Sequence, residues 1–159
     1  MMYLSSRVKG IQDSITMKLN EQATTLAEEG KPIYNLSGGQ LPIKPPAELM
    51  EKIHHELNFL KSYQYSSVTG HPALRKKFMN YIATQRKISL ELLESEFDCI
   101  ISNGSKHSIY NSLGALLDPG DEVVLFAPYW VSYPEMIKFW GGQSVVVRSN
   151  VYDAFVPAF

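Results

Sequence analysis

Residues 97–128, FDCIISNGSKHSIYNSLGALLDPGDEVVLFAP, decide the fold class. FDCIIS is short, apolar and β-branched, which predicts a buried strand. One glycine then leads into a segment in which Ile109, Leu113 and Leu116 recur at helical spacing. After a turn at 118–121, EVVLFAP predicts a second buried strand. Strand, glycine turn, helix and strand in this order predict an α/β domain with a largely parallel sheet.

The residues that follow continue the alternation. SYPEMIKFWGG, residues 132–142, predicts a helix that ends at its two glycines. QSVVVRS, residues 143–149, predicts a third buried strand. Trp140 near the end of the predicted helix is expected to pack against the core.

Helices are predicted throughout the region before residue 97. Apolar residues recur at helical spacing at Ile15, Leu19, Ala23 and Leu26, then at Leu49, Ile53, Leu57 and Leu60, and then at Leu74, Phe78 and Tyr81. Gly30 and Pro32 end the first helix, Pro45 and Pro46 favour the start of the second, and Pro72 suits the first position of the third. A short helix is expected over residues 90–94.

Composition excludes several classes of function. The chain has 159 residues, of which 45% are hydrophobic, and 15 Lys and Arg oppose 16 Asp and Glu for a net charge of -1. Nothing in this balance suggests the basic surface that nucleic acid or an anionic membrane requires. The first twenty residues lack a continuous apolar run, so we expect a cytoplasmic protein without a signal peptide or membrane span. The single cysteine, Cys99, is interpreted as an inert core residue.

The histidines offer little chemistry. His54 and His55 are adjacent and so point to different faces of a helix, which argues against a metal site. The serines near His107 lack the spacing of a hydrolase nucleophile elbow. We therefore expect no metal site. The sequence supports a hydrolase no better than it supports a metal site.

Two features indicate ligand binding, each with a plain structural alternative. Residues 102–106, SNGSK, carry a predicted strand through a glycine into a helix, and the first N–H groups of such a helix can bind phosphate. The spacing matches neither a Walker loop nor a dinucleotide motif, so a simple turn stays open. Trp130 follows the carboxyl end of the second strand, where it could stack on a flat ring or pack in the core.

Taken together, the motifs resemble those of one enzyme family. Residues 102–142 are similar to the matching block of class I aminotransferases of the aspartate aminotransferase type. NLSGGQLPIKPPAELMEKI, residues 35–53, resembles the substrate-carboxylate loop of that family, and YQYSSVTGHPALRKKF, residues 63–78, resembles its tyrosine-containing loop. The three blocks occur in the same order, and the resemblance covers the whole chain.

The resemblance implies the α/β architecture of fold-type-I transferases that depend on pyridoxal 5'-phosphate, here in incomplete form. Residues 1–44 would form the N-terminal arm and a segment of the small domain. Residues 45–159 would form the first part of the large domain that binds the cofactor. The family further implies a homodimer with amino acid and 2-oxo acid substrates and without nucleic-acid or membrane partners.

The resemblance also implies roles for individual residues. The implied cofactor-binding residues are Gly104, Ser105, Lys106, Trp130 and Tyr65, and the implied substrate-binding residues are Gly39 and Trp130. The N–H groups of Ser105 and Lys106 would hold the cofactor phosphate, as suits a helix N-terminus. The hydroxyl of Tyr65 would reach the phosphate in the site of the neighbouring subunit. Trp130 would stack on the pyridine ring.

The substrate loop departs from the family pattern. Gly39 would lend its N–H to the substrate carboxylate, since a glycine permits close backbone approach. The family usually continues with acidic residues, a proline and an aromatic, whereas this chain has Gln40, Leu41, Pro42 and Ile43. The preferred amino acid, aspartate-like or other, is therefore left open.

No residue of this chain corresponds to the family's Schiff-base lysine or to its aspartate at the pyridine nitrogen. The resemblance places both beyond Phe159, so we expect no catalytic residue here and no activity from the isolated chain. The parent reaction would move an amino group between an amino acid and a 2-oxo acid. The alternatives are another fold-type-I enzyme, such as a carbon–sulfur lyase or a cyclopropane-carboxylate synthase, and a non-catalytic binding module.

Overall fold

The computed structural model describes residues 3–39 and 41–157. Its α-helices are α1 (Ser6–Lys9), α2 (Ile15–Glu28), α3 (Ala47–Glu56), α4 (Pro72–Arg86), α5 (Leu90–Glu96), α6 (Gly104–Leu116) and α7 (Ser132–Phe139). The strands are β1 (Glu122–Ala127) and β2 (Gln143–Arg148), and short 3-10 helices lie at Leu60–Tyr63 and Val151–Asp153. None of the described helices is both long and apolar enough to cross a membrane.

The chain forms two compact units. Met1–Leu41 and Tyr110–Phe159 make the first unit, and Pro42–Ile109 make the second. The boundary between them falls inside helix α6.

A parallel strand pair forms the centre of the first unit. β1 and β2 run in register from Glu122 beside Gln143 to Ala127 beside Arg148. Helix α7 connects them and packs on β2, burying Met136 and Ile137 together with Leu125 of β1. The predicted helix at 132–142 and strands at 122–128 and 143–149 are thus confirmed, as is their parallel pairing.

Trp140 packs against helix α6, as predicted. Its indole N–H donates to the backbone oxygen of Tyr110 at 3.0 Å, and its ring lies 5.1 Å from the ring of Tyr110 and 5.4 Å from that of Phe139. A Cβ added at Gly114 would lie 2.7 Å from the indole ring. Glycine at position 114 therefore makes room for Trp140.

The second unit has its core between α4 and α5. Met79 and Ala83 of α4 are buried with Leu93 of α5, and Pro72 takes the first position of α4, as predicted. The helix predicted from Leu74, Phe78 and Tyr81 is thus confirmed, but these side chains are 49%, 44% and 58% exposed. The buried residues are instead on the face against which α5 packs.

Helix α3 ends earlier than its apolar pattern predicts. Leu60 lies in a 3-10 helix beyond the end of α3 at Glu56. The hydroxyl of Ser62 donates to the carbonyl of Glu56 at 2.7 Å, and that of Tyr63 donates to the carbonyl of Leu57 at 2.6 Å. These side chains satisfy carbonyls at the helix end and so replace a further helical turn.

The predicted strand FDCIIS was wrong. Residues 97–102 form no strand, and Phe97 and Ile100 are largely exposed. The segment is joined to the loop before α4 by a backbone hydrogen bond, in which the N–H of Ile101 donates to the carbonyl of Thr69 at 3.0 Å. A strand requires a neighbouring ladder, and among the described residues the sheet contains only β1 and β2.

Much apolar surface faces solvent. The buried apolar residues among those described are Met79, Ala83, Leu93, Leu125, Met136 and Ile137. Side chains on both strands stay exposed, including Val124, Phe126, Val145 and Val146. Parallel strands are normally covered on both faces, so this sheet is a surface for further packing.

We therefore expect the purified 159-residue chain to self-associate and to bind a dye for apolar surfaces such as ANS. Sedimentation velocity across a concentration series would show species larger than a monomer. A clean monomer with a sharp two-state thermal transition would contradict this expectation.

Candidate functional site

The N-terminus of α6 is shaped by Gly104. This residue has φ +77°, in the left-handed region, and a Cβ added there would meet no atom within 4 Å. Conformation rather than crowding therefore requires glycine. Ser105 and Lys106 follow in the first helical turn and are exposed. A helix provides no acceptor of its own for the N–H groups of its first turn, so this terminus fits a phosphate.

Side chains on either side of Gly104 hold the turn in shape. The hydroxyl of Ser102 donates to the carbonyl of Gly104 at 3.1 Å and also bonds to the hydroxyl of Ser108. The N–H of Asn103 donates to Nδ1 of His107 at 3.3 Å.

His107 therefore has a structural role, as a cap at the start of α6, that the sequence did not indicate. A side chain in the first turn that accepts from the backbone just before the helix resembles a capping box. Histidine is not a usual member of that motif, which is why the spacing of Asn103 and His107 was not informative.

Tyr65 lies in the same unit as the α6 terminus. It follows the 3-10 helix Leu60–Tyr63 and is fully exposed. The loop that contains it ends at Pro72, the first residue of α4. The predicted tyrosine loop is thus a loop in the structure, and its hydroxyl is accessible for a polar contact.

Arg75 of α4 connects this loop to the segment before α6. Its Nη1 donates to the hydroxyl of Thr69 at 2.9 Å, its Nε donates to the carbonyl of Cys99 at 2.8 Å, and its Nη2 forms an ion pair with Asp98. The N–H of Cys99 also donates to the Asp98 carboxylate, at 2.7 Å. We call these residues, with Ile101, the Arg75 cluster.

The cluster shifts the pKa values of its charged pair. The hydrogen bond to Asp98 raises the pKa of Arg75. The hydrogen bond from Arg75, followed by that from the Cys99 N–H, lowers the pKa of Asp98. In both cases the hydrogen bond stabilises the charged form, and the pKa shift follows from that.

Cys99 lies at the edge of the second unit's core rather than within it. It is partly buried against Met79, Ala83 and Leu93, and its thiol donates to the carbonyl of Arg75 at 3.7 Å. The prediction of a fully buried core cysteine is therefore corrected to a half-buried one. The strand that would have buried it does not form.

Trp130 and Gly39 belong to the first unit. Trp130 lies just past the carboxyl end of β1, where it was predicted, and is 50% exposed. Its carbonyl accepts the N–H of Tyr133 at 3.0 Å, at the start of α7. Gly39 lies exposed in an irregular segment, with no atom within 4 Å of an added Cβ. Gln40 lies outside the described residues.

The first unit also has a cavity of about 430 Å³ between residues 11–15 and helices α6 and α7. Tyr110, Met136 and Phe139 contribute much of its wall. None of the predicted site residues lines it. The cavity therefore does not support a ligand site at the positions that the sequence singled out.

Comparison with known proteins identifies the family. The family model for aminotransferase class I and II matches residues 31–156. The chain belongs to this family. The aminotransferases of this family, including the aspartate aminotransferases, depend on pyridoxal phosphate. The match includes every predicted site residue.

Individual aminotransferases agree with this assignment. The chain is 36% identical over 154 residues to a probable aspartate/prephenate aminotransferase of Thermus aquaticus, covering 97% of this chain and 39% of that protein. The aspartate aminotransferase of Thermus thermophilus with maleate superposes with a TM-score of 0.81 at 32% identity, over 99% of this chain and 40% of that one. That of Thermotoga maritima gives 0.80 at 32% identity, over 98% and 40%.

The architecture is thus that of the matching part of the fold-type-I transferases. The resemblance drawn from the three sequence blocks is confirmed at the level of family and fold. The chain spans about two fifths of the length of these aminotransferases.

The pKa of Asp98 leads to a pH prediction. A lowered folded pKa means that Asp98 adds stability above its ordinary pKa of about 3.9, and that this stability is lost as the pH falls through the lower folded value. Because Asp98 is 77% exposed, the effect is small: we expect the wild-type chain to lose slightly more stability below pH 4 than Asp98→Asn, which has no carboxylate to protonate.

Acid titration followed by far-UV circular dichroism would measure this difference. Glu91→Gln, which changes an exposed carboxylate on α5, is the matched control and should follow the wild type. Parallel acid transitions for wild type and Asp98→Asn would show that the ion pair adds nothing.

Proposed function

We propose that the protein containing this chain transfers an amino group between an amino acid and a 2-oxo acid, with pyridoxal 5'-phosphate as cofactor. The observation that carries the proposal is the exposed α6 terminus at Gly104, in a chain of the aminotransferase family. The relatives named above are aspartate or aspartate/prephenate aminotransferases, and we propose an aspartate-like or other amino acid as substrate.

The residues of this chain would bind and orient the cofactor. The N–H groups of Ser105 and Lys106 donate to its phosphate, where the positive end of the α6 dipole stabilises the negative charge. Trp130, half exposed after β1, stacks on the pyridine ring. When bound, the cofactor supplies an electron sink for cleavage of a bond at the substrate's α-carbon.

Two further residues would complete the contacts. The N–H of Gly39 donates to the substrate carboxylate, and the open space around this glycine leaves room for close approach. Tyr65 donates its hydroxyl to the cofactor phosphate in the site of the neighbouring subunit. The full exposure of Tyr65 in this chain supports a contact outside its own subunit.

We accordingly propose a homodimer in the cytoplasm. The exposed apolar faces of β1 and β2 supply surface for burial by further chain or by a partner. The one cysteine is a free thiol, which suits a reducing compartment. We also propose that residues 1–44 belong to the arm and small domain of the aminotransferase and that residues 45–159 open its large domain.

Sequencing the gene beyond the codon for Phe159 tests the proposal. An open frame that continues into a segment with the cofactor lysine supports an aminotransferase. An immediate stop codon would oppose it and favour a separate binding module. Product analysis of the complete gene product with a panel of amino acids would distinguish amino transfer from carbon–sulfur cleavage or ring formation.

We expect the purified 159-residue chain alone to have no transaminase activity, because the resemblance matches none of its lysines to the one that holds the cofactor. Coupled assays of 2-oxo acid formation would measure turnover. Any turnover above a buffer blank would contradict the prediction, whereas a colour change alone would not, since surface lysines react with the aldehyde.

The phosphate-binding site can be tested through the backbone of Ser105. Ser105→Pro removes one N–H donor, and proline is sterically acceptable in a first helical turn. The loss should be about 1.5–3 kcal/mol, as for a hydrogen bond to a charged group. This corresponds to roughly tenfold to hundredfold weaker cofactor binding, measured by titrating the complete apoprotein with pyridoxal phosphate.

Lys106→Ala is the matched control. It retains its N–H and removes a side-chain charge that the resemblance does not place on the phosphate, so its effect should be much smaller. If Lys106→Ala weakened binding more than Ser105→Pro, a lysine side-chain contact would replace the helix terminus as the phosphate-binding group.

A further inference from the structure

The tyrosine loop and the segment that leads into α6, residues 97–103, meet at one backbone hydrogen bond. The N–H of Ile101 donates to the carbonyl of Thr69 at 3.0 Å. Tyr65 lies four residues before Thr69, and Ser105 lies four residues after Ile101. Both proposed phosphate contacts are therefore connected to this point by equally short stretches of chain.

The two segments also pack closely at Gly70. Its φ is +99°, and a Cβ added there would lie 2.6 Å from Cβ of Ile101. A side chain at position 70 would push the segments apart. The backbone of the loop thus rests directly on Ile101, and small displacements of one segment would move the other.

The side chain of Arg75, on helix α4, contacts both the tyrosine loop and the segment before α6. It donates to Thr69 on the loop side and to Cys99 on the segment that leads to α6, and it pairs with Asp98 beside Cys99. A guanidinium can serve three acceptors in one plane, whereas a lysine ammonium is a single point of charge. The arrangement therefore uses a property specific to arginine.

Stability alone does not explain this arrangement. Asp98 is 77% exposed, and an ion pair with an exposed partner contributes little to folding. The other two acceptors, the Thr69 hydroxyl and the Cys99 carbonyl, belong to irregular segments, of which the one with Cys99 packs at the edge of the apolar core. What the contacts do fix is the position of one segment relative to the other.

We propose that Arg75 is a positioning residue that holds the Tyr65 loop and the Ser105 segment in fixed relation. One side chain thereby sets the phosphate contacts that both segments make. This inference rests on the proposed function, since it requires Tyr65 and Ser105 to contact the cofactor phosphate. Because Tyr65 is proposed to serve the neighbouring subunit, Arg75 also connects the contact that a subunit makes in its own site with the one it gives to its partner.

The test compares pyridoxal phosphate affinities of the complete apoprotein and its variants, measured by titration. Arg75→Lys keeps the charge and loses the planar fork, and we expect binding to weaken about tenfold, which matches the lower end of the losses seen when a residue that orients a metal ligand is replaced. Thr69→Val loses one acceptor and should have a smaller effect. Arg86→Lys, an exposed change in the last turn of the same helix, is the matched control and should bind as the wild type does.

A double-mutant cycle separates positioning from general destabilisation. If Arg75 acts through the two contacts, the effect of Arg75→Lys should shrink in the Tyr65→Phe background and in the Ser105→Pro background. Simple structural damage would add to each of those changes in full. Thermal unfolding of each variant gives a second readout, which a positioning role should move much less than it moves affinity.

The outcomes are distinct. Full additivity in both backgrounds, or unchanged affinity in Arg75→Lys, overturns the positioning role while leaving the proposed function intact. Unchanged affinity in both Tyr65→Phe and Ser105→Pro overturns the proposed phosphate contacts, and the positioning role with them. Non-additivity in both backgrounds supports the proposal.

Discussion

The left-handed backbone of Gly104 determines how the chain enters helix α6. An irregular segment, residues 97–102, leads to Gly104, and the positive φ of this glycine changes the direction of the backbone where helix α6 begins. Ser105 and Lys106 then lie exposed in the first turn, where helix geometry directs N–H groups outward. The proposed cofactor contact, the hydrogen bonds of Ser102 and the cap on Asn103 all depend on this one change of direction.

The two charged groups of the Arg75 cluster show how position can be maintained at little cost in desolvation. Arg75 is only 22% exposed on its side chain, while Asp98 is 77% exposed. The carboxylate therefore keeps much of its hydration, and the guanidinium obtains its partners from a carbonyl and a hydroxyl as well. Such a distribution keeps the desolvation penalty below that of a fully buried charge pair and still connects three parts of the chain.

The sequence predicted elements whose signals are local. β1, β2 and α7 follow from short apolar runs bounded by glycine and proline, and α4 begins at Pro72 because the ring suits a first helical position. FDCIIS failed because a strand depends on a partner that no local pattern specifies. The spacing of Leu74, Phe78 and Tyr81 predicted helix α4 but did not identify its buried residues, since periodicity shows that a helix has an apolar face but not which face a neighbour covers.

The candidate site shows the same division. Gly104 and Trp130 were recognisable because each stands next to a predicted element, at its entrance or its exit. The contacts of Arg75 with Cys99 and Asp98 join residues more than twenty positions apart, and nothing in the spacing of these residues indicates them. Long-range hydrogen bonds of this kind are visible only once the fold is known.

The environment of Trp140 has a consequence for spectroscopy. The chain has two tryptophans, and they lie in different surroundings. Trp140 is partly buried among Tyr110, Phe139 and Gly114, with its indole N–H bonded to a carbonyl, whereas half of Trp130 is open to solvent. Their fluorescence should differ in emission wavelength and in accessibility to a collisional quencher. With Trp140 replaced by phenylalanine, the remaining tryptophan emission would come from Trp130 alone, and the protein would contain its own optical probe for a ring that approaches that indole.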